Sequence, residues 1–135
     1  MTFERKLSLV YAVILFGAAA INYIPGLTDE AGLAFGIFAL DPFDDALHVA
    51  SGTWALVAGL LSSRAARIFL VAFGALYLLD GLLGILTGWG YLDFGIFQHA
   101  SHGASLSPLR IAANLPHIGL GGVALAAGLI QTRRA

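Results

Sequence analysis

The chain of 135 residues has no cysteine and a single methionine, Met1. Without thiols there are no disulfides, thiolate metal sites, iron–sulfur clusters or cysteine nucleophiles, and the redox compartment stays undetermined. One methionine leaves thioether copper chemistry poorly supplied. Charge is equally scarce: Asp, Glu, Lys and Arg make up 11% of the residues, against roughly one quarter in soluble domains. Seven basic residues face eight acidic ones, a formal net charge of −1, with no basic stripe for a nucleic acid to bind. The chain has apolar surface instead, with 59% hydrophobic residues and a mean hydropathy of +0.85. That composition belongs to a membrane domain whose first partner is the lipid bilayer.

Four mostly apolar blocks, at about 7–24, 45–61, 65–87 and 111–130, approach the roughly 20 residues a helix needs to cross a bilayer. Gly, Pro and charged residues punctuate each gap. The sequence therefore predicts an all-α integral membrane four-helix bundle occupying residues 1–135 as one domain. Arg5, Lys6 and the run Ala18-Ala19-Ala20 have the look of a signal peptide, but the apolar stretch between them exceeds the usual 7 to 15 residues. It is read as the first membrane helix. Arg5, Lys6, Arg64, Arg67, Arg133 and Arg134 fall on one side of this arrangement, and only Arg110 falls on the other. Because positive charge stays cytoplasmic, both termini are expected inside. The outer connections carry Asp29, Glu30, Asp41, Asp44 and Asp45 in one and Asp93 in the other. Trp89, Tyr91, Phe94 and Phe97 follow the third helix, as aromatic rings do at a headgroup boundary.

An internal repeat organises the chain. Shifted by 69 positions, Asp45, His48, Gly52, Ala55, Ala58 and Gly59 fall on Asn114, His117, Gly121, Ala124, Ala127 and Gly128. Phe35-Gly36-Ile37-Phe38 recurs as Phe94-Gly95-Ile96-Phe97. This pattern predicts two tandem helical hairpins, about 5–63 and 64–134, with helices two and four in equivalent places. Each of those helices carries a stripe of small residues below its histidine, and helix three has Gly74, Gly81 and Gly88 at seven-residue spacing with Gly84 nearby. Small residues let helix backbones approach inside lipid, where no hydrophobic drive holds helices together.

Every predicted helix has a polar residue toward its outer end: Asn22, His48, Asp80, and Asn114 with His117. Asp80 lies about 10 Å inside the third helix from Thr87, and Tyr77, one turn deeper, is placed to donate to it. A carboxylate in hydrocarbon must face the bundle interior, pair or neutralise. Asp45 and Asn114 are expected as helix N-caps, with Pro42 before the first and Pro116 in the first turn of the second, which makes each histidine a first-turn residue. Two readings result. In one, the histidines hydrogen-bond across the bundle and fix it. In the other, neutral imidazoles of His48 and His117 join Asp80 or Asp45 in a two-His, one-carboxylate site for zinc or another divalent transition metal. His99 and His102, at i and i+3 with Asp93 upstream, form a second two-point clip or a solvated pair in the outer loop.

The segments Ile24-Pro25-Gly26, Gly36-Ile37-Phe38, Asp41-Pro42-Phe43-Asp44-Asp45-Ala46-Leu47-His48 and Asn114-Leu115-Pro116-His117 with Gly121 carry a resemblance. In them the chain resembles the small four-helix membrane proteins grouped as domain of unknown function 4383, over nearly its whole length. The family's pattern enters helix two as Asn-Pro-Leu-His-Asn-x-x-His and helix four as Ala-Asp-Asn-x-x-His. His48, Asn114 and His117 match it, as does Gly52, while Asp41, Asp44, Asp45 and Ala113 stand where the family has Asn, His, Asn and Asp. The resemblance implies a fold and no activity. With no nucleophile, base and oxyanion donor gathered by any motif, the expectation is a non-enzymatic membrane component that associates with itself or with another membrane protein. The alternative is a metal-binding or proton-responsive protein using the same layer.

Overall fold

The structure, a computed structural model, describes residues 1–38, 42–92, 94–98, 103 and 107–132, without the side chains of 131 and 132. It is helical, with no β-strand among the described residues. Helix α1 spans Phe3–Ala20 and runs into a 3-10 turn at Ile21–Tyr23; α2 spans Pro42–Leu61, α3 Ser63–Thr87, the short α4 Gly95–Gln98, and α5 Pro108–Thr132. Three of the long helices, α1 with its 3-10 extension, α3 and α5, are long and apolar enough to cross a membrane. Helix α2 has 20 residues but opens with Asp44, Asp45 and His48, and it is not among them.

Both proline-led helices begin earlier than the apolar blocks. Proline fits the first helical position because the missing N–H has no partner there anyway, and α2 starts on Pro42 and α5 on Pro108. Ser107 caps α5 by accepting the Arg110 N–H at 3.2 Å. Asp45 and Asn114 are therefore interior helical residues rather than N-caps, and His48, His117 and Pro116 lie beyond the first turn. Asn114 instead donates from Nδ2 to the Arg110 carbonyl one turn back, at 2.8 Å. Ser62 caps α3 through the Ala65 N–H at 3.0 Å, and Gly88, at φ 82°, ends it.

Two antiparallel helix pairs dominate the packing: α1 with α2, and α3 with α5. At one end of the first pair Arg5 donates from Nε to the Gly59 carbonyl at 2.8 Å and from Nη2 to Leu60 at 2.7 Å, and Thr2 meets Ser63 at 2.8 Å. Arg5 thus answers carbonyls that the end of α2 leaves open. At the other end Tyr23 donates to Asp45 Oδ2 at 3.3 Å. Between them Ser8 donates to the Ala55 carbonyl at 2.6 Å, and the position where Gly52 lacks a side chain faces the Phe16 ring. In the second pair the contact is backbone on backbone. A Cβ on Gly74 would sit 2.4 Å from Leu125 N, and one on Gly121 would sit 2.3 Å from Leu78 N. Gly81 faces Ile118 and Gly84 faces the Asn114 side chain along the same seam.

The pairs meet over an aromatic core. Phe69, Phe73, Leu15 and Leu70 are fully buried. Tyr11 stands edge-on to Phe69 and Phe73, with centroids at 6.2 and 5.4 Å, and Phe73 stacks on Tyr77 at 4.0 Å. The Tyr11 hydroxyl donates to the Leu120 carbonyl at 2.6 Å, tying α1 to α5 across the core. Large apolar side chains such as Val13, Leu61, Leu79, Leu86 and Ile130 point outward instead. On a soluble monomer so much exposed apolar surface is unusual.

Candidate functional site

The polar residues converge at the end of the molecule where α3 stops and α5 begins. Asp80, 2% exposed, stands about two turns before the end of α3. Gly88 turns the chain back, and Gly90 then lies so close that a Cβ there would be 2.8 Å from Asp80 Oδ1. That approach lets the Tyr91 and Leu92 N–H groups donate to Oδ1 at 2.7 and 2.9 Å. His117 on α5 donates from Nδ1 to Oδ2 at 2.5 Å. Two of its partners are backbone N–H donors, and the His117 tautomer that carries its hydrogen on Nδ1 completes the set.

Tyr77 does not donate to Asp80, as the sequence suggests. Its hydroxyl meets Ser51 at 3.1 Å, and its ring stands edge-on beneath His117 at 5.2 Å. A second link joins the same two helices: the Arg110 guanidinium lies 3.7 Å from the Trp89 ring centroid and Nη1 donates to the Gly88 carbonyl at 3.2 Å. A cation stacked on an aromatic face and seated at a helix C-terminus gains from both arrangements. Outside the helices, burial raises the pKa of the Tyr91 phenol, and the nearby Asp80 carboxylate adds to the effect. The hydroxyl donates to the Leu76 carbonyl at 2.9 Å.

A cavity of about 490 Å³ opens above this layer. Asp44 and His48 from α2, Asp80 from α3, and Arg110, Asn114 and His117 from α5 line it, with Leu33, Ile37 and Phe38 from the connection between α1 and α2. That connection is folded rather than loose: Asp29 Oδ1 accepts the Ala31 and Leu33 N–H groups, and Ala34, fully buried, exchanges a bridge with Phe38. Phe35 and Phe94 are the only non-glycine residues at positive φ among those described, at 53° and 63°. They occupy the same place in the repeated Phe-Gly-Ile-Phe segments, and both turns deliver residues to the cavity rim.

The structure thus brings His48, Asp80, Asn114 and His117 to one cavity. Asp45 is turned toward Tyr23, and Asn22 lies in the 3-10 turn; neither lines it. No group of three His, Asp or Glu side chains that could hold a metal ion occurs among the described residues, so the set of His48, His117, Asp80 and Asp45 is not assembled there. The reason is local: His117 spends its Nδ1 on Asp80, and Asp45 has its Oδ2 on the Tyr23 hydroxyl. Asp93, His99 and His102 lie outside the described residues, as does Asp41. Asp44, expected in a connection, is a buried helical residue. Sequence reasoning missed Asp44, Ser51, Gly90 and Arg110 as members of the layer. The Gly88-Trp89-Gly90 triplet and the Ser107-Pro108 helix start were the available signals. No family model matches this chain, and no curated protein or solved structure matches it.

Proposed function

We propose that this chain is a multi-pass integral membrane protein of four crossings, built as two tandem hairpins with both termini cytoplasmic. It works as a non-enzymatic membrane component whose outer polar layer fixes the bundle and shapes an outward-facing pocket. The observation that carries this reading is Asp80: one buried carboxylate gathers donors from the chain beyond α3 and from α5. Such a group joins elements together, with three of its roughly four lone-pair sites taken up by the protein itself.

Several observations support the membrane placement. Three helices have the length and hydropathy to cross, and the outward-facing Leu, Ile and Val side chains suit lipid. Helix α2 crosses with them in this reading, because it runs beside α1 from Arg5 to Tyr23 and, at about 1.5 Å per residue, matches the bilayer core in length. Its Ser51 and Thr53 hydroxyls bond internally, to Tyr77 and to the Val49 carbonyl. Arg5, Arg64 and Arg67 belong to the end where Thr2 meets Ser63, which favours that end for the cytoplasm. His48, Gly52, Asn114 and His117 support membership of the domain of unknown function 4383 family.

Asp80→Asn compared with Asp80→Leu tests the reading. Asparagine retains an oxygen for the Tyr91 and Leu92 N–H groups, whereas leucine strands them together with His117. The expected outcome is a modest loss of unfolding stability for asparagine and about 3 kcal/mol or more for leucine, in the range for breaking one side of a buried pair. Equal stability of Asp80→Leu and the parent would refute it.

A further inference from the structure

We infer that the outer cavity binds a phenol-type molecule whose O–H donates to Nε2 of His117. That imidazole is held at one edge and open at the other. Its Nδ1 hydrogen goes to Asp80 Oδ2 at 2.5 Å, and Asp80, almost fully buried, is pinned in turn by the Tyr91 and Leu92 N–H groups. The His117 side chain is nevertheless 22% exposed and lines the cavity, and Nε2 has no hydrogen-bond partner among the described residues. With the hydrogen on Nδ1, Nε2 carries a bare lone pair, so it accepts a hydrogen bond and does not donate one. A carboxylate behind an imidazole fixes the tautomer and ring orientation and raises the basicity of the far nitrogen.

The other polar groups of the lining have different places. Asn114 gives Nδ2 to the Arg110 carbonyl and packs Oδ1 against Gly84 of α3. His48, 8% exposed, keeps Nδ1 shut inside the protein, which leaves it Nε2 alone. Asp44 is equally buried and already in contact with other groups. The Arg110 guanidinium lies on Trp89 with Nη1 on the Gly88 carbonyl; its remaining N–H groups, and the exposed Gln98 amide, are free to meet a ligand oxygen as donors. His117 Nε2 is thus the acceptor that a buried charge stands behind, and the ligand that suits it brings an acidic O–H. Negative charge on that ligand would face the carboxylates of Asp44 and Asp80. A phenol satisfies both terms, because its hydroxyl is a strong donor yet stays neutral up to a pH of about 10. Phe38 and Trp89 offer rings to its ring, Leu33, Ile37 and Leu109 offer apolar surface to a tail, and about 490 Å³ is a usual size for a small-molecule site. Phe35 and Phe94 hold left-handed backbone in turns that border the same opening, and such strain clusters beside functional sites. Entry of the ligand from the bilayer rests on the membrane placement proposed above; the pocket's chemistry does not.

Binding and the bonded atom are read separately, on the full chain in phosphatidylcholine nanodiscs. Thermal unfolding is titrated with 4-octylphenol, with 4-octylanisole, which has the same ring and tail but no O–H, and with 4-octylbenzoate. The phenol is expected to raise Tm saturably. The anisole should need about tenfold or more concentration for half-saturation, the loss of one hydrogen bond, and the benzoate should give no saturable shift. In nitrogen-15 NMR of histidine-labelled protein, with the His117 signals assigned by their disappearance in His117→Gln, Nε2 is expected as an unprotonated nitrogen. Its resonance should move upfield with the phenol and hold still with the anisole. His117→Phe should abolish the Tm shift. Ile37→Trp fills the pocket from the apolar wall, leaves the bond between Asp80 and His117 alone and should abolish the shift too, which keeps the proposal testable should His117→Phe fail to fold. An anisole as potent as the phenol, the benzoate acting in its place, or a protonated Nε2 in the ligand-free chain at neutral pH overturns the assigned ligand class. A phenol shift unchanged in both His117→Phe and Ile37→Trp, or lost in His48→Phe while kept in His117→Phe, overturns the site. A chain soluble without lipid overturns the membrane placement alone, and the same titrations in buffer then read the pocket.

Discussion

Replacing Gly121 with alanine puts a methyl carbon 2.3 Å from Leu78 N and 2.9 Å from the Gly74 carbonyl oxygen. Both obstacles are backbone, so no rotamer change clears them. Ordinary contact begins near 3.4 Å, so α3 and α5 must part by about 1 Å at this level. A gap of that size forfeits roughly a quarter to a half of the attraction between facing atoms, and some 40–60 atom pairs at about 0.1–0.2 kcal/mol each meet over a leucine-sized patch. The expected loss is about 2–3 kcal/mol, in line with the cost of overpacking. Gly119 and Gly122 stand two and one positions away with nothing within 4 Å of their missing side chains. Alanine there should leave stability unchanged or raise it by up to about 1 kcal/mol through helix propensity. The three variants share one helix and one chemistry, so unfolding by denaturant titration in micelles isolates the seam. Gly121→Ala as stable as Gly122→Ala would refute the close approach of the two backbones.

Gly52→Leu should be milder than Gly121→Leu, because the Gly52 position meets the movable Phe16 ring rather than backbone; the ranking of their unfolding midpoints checks this. Tyr11→Phe removes the bond to the Leu120 carbonyl and should cost about 1 kcal/mol, with a loss above about 3 kcal/mol contradicting the reading of it as one ordinary neutral hydrogen bond. Phe35→Asn should equal or exceed the parent in stability while Phe35→Val falls below it by about 1 kcal/mol, since a β-branched residue tolerates left-handed backbone worst; the reverse order in thermal melts would refute the strained turn. Arg110→Lys keeps the charge but loses the planar stack on Trp89, so tryptophan emission should shift and stability should drop by about 0.5–1 kcal/mol; an unchanged spectrum would argue against the stacked pair.

Much of the scaffold could be read from the chain because its determinants are one-dimensional. The apolar blocks reappear as long helices, and Asp80, His48, Asn114 and His117 do reach one cavity, since a buried carboxylate and two imidazoles in apolar helices have few other places to go. The repeated pair Asp45 and Asn114 reads as two N-caps, whereas the helices start at Pro42 and at Ser107-Pro108, where proline pre-sets the backbone. The donors on Asp80 were illegible for a different reason. Tyr91 and Leu92 contribute backbone N–H groups, which any residue carries, and only the path of the chain past Gly90 brings them there. Tyr77 went to Ser51 rather than Asp80 because a partner on another helix competed with the one nearby in sequence.

The position of the polar layer constrains what a bilayer-embedded bundle of this kind can do. Below Tyr77 the interior is closed by Phe73, Phe69, Leu70 and Leu15, and Tyr11 fills the space between the two rings with its hydroxyl bonded sideways to α5. Ser8, one turn further, gives its hydrogen to Ala55 rather than to a passage. A conducting path needs polar groups or water-filled width through the full thickness, and at this level packed aromatic rings offer neither. The cavity above is consequently blind at its inner end. Under the proposed membrane placement the parent chain is therefore expected to conduct no ions in liposome flux assays, and ion flux through the parent would refute an interior closed by Phe69, Phe73 and Tyr11.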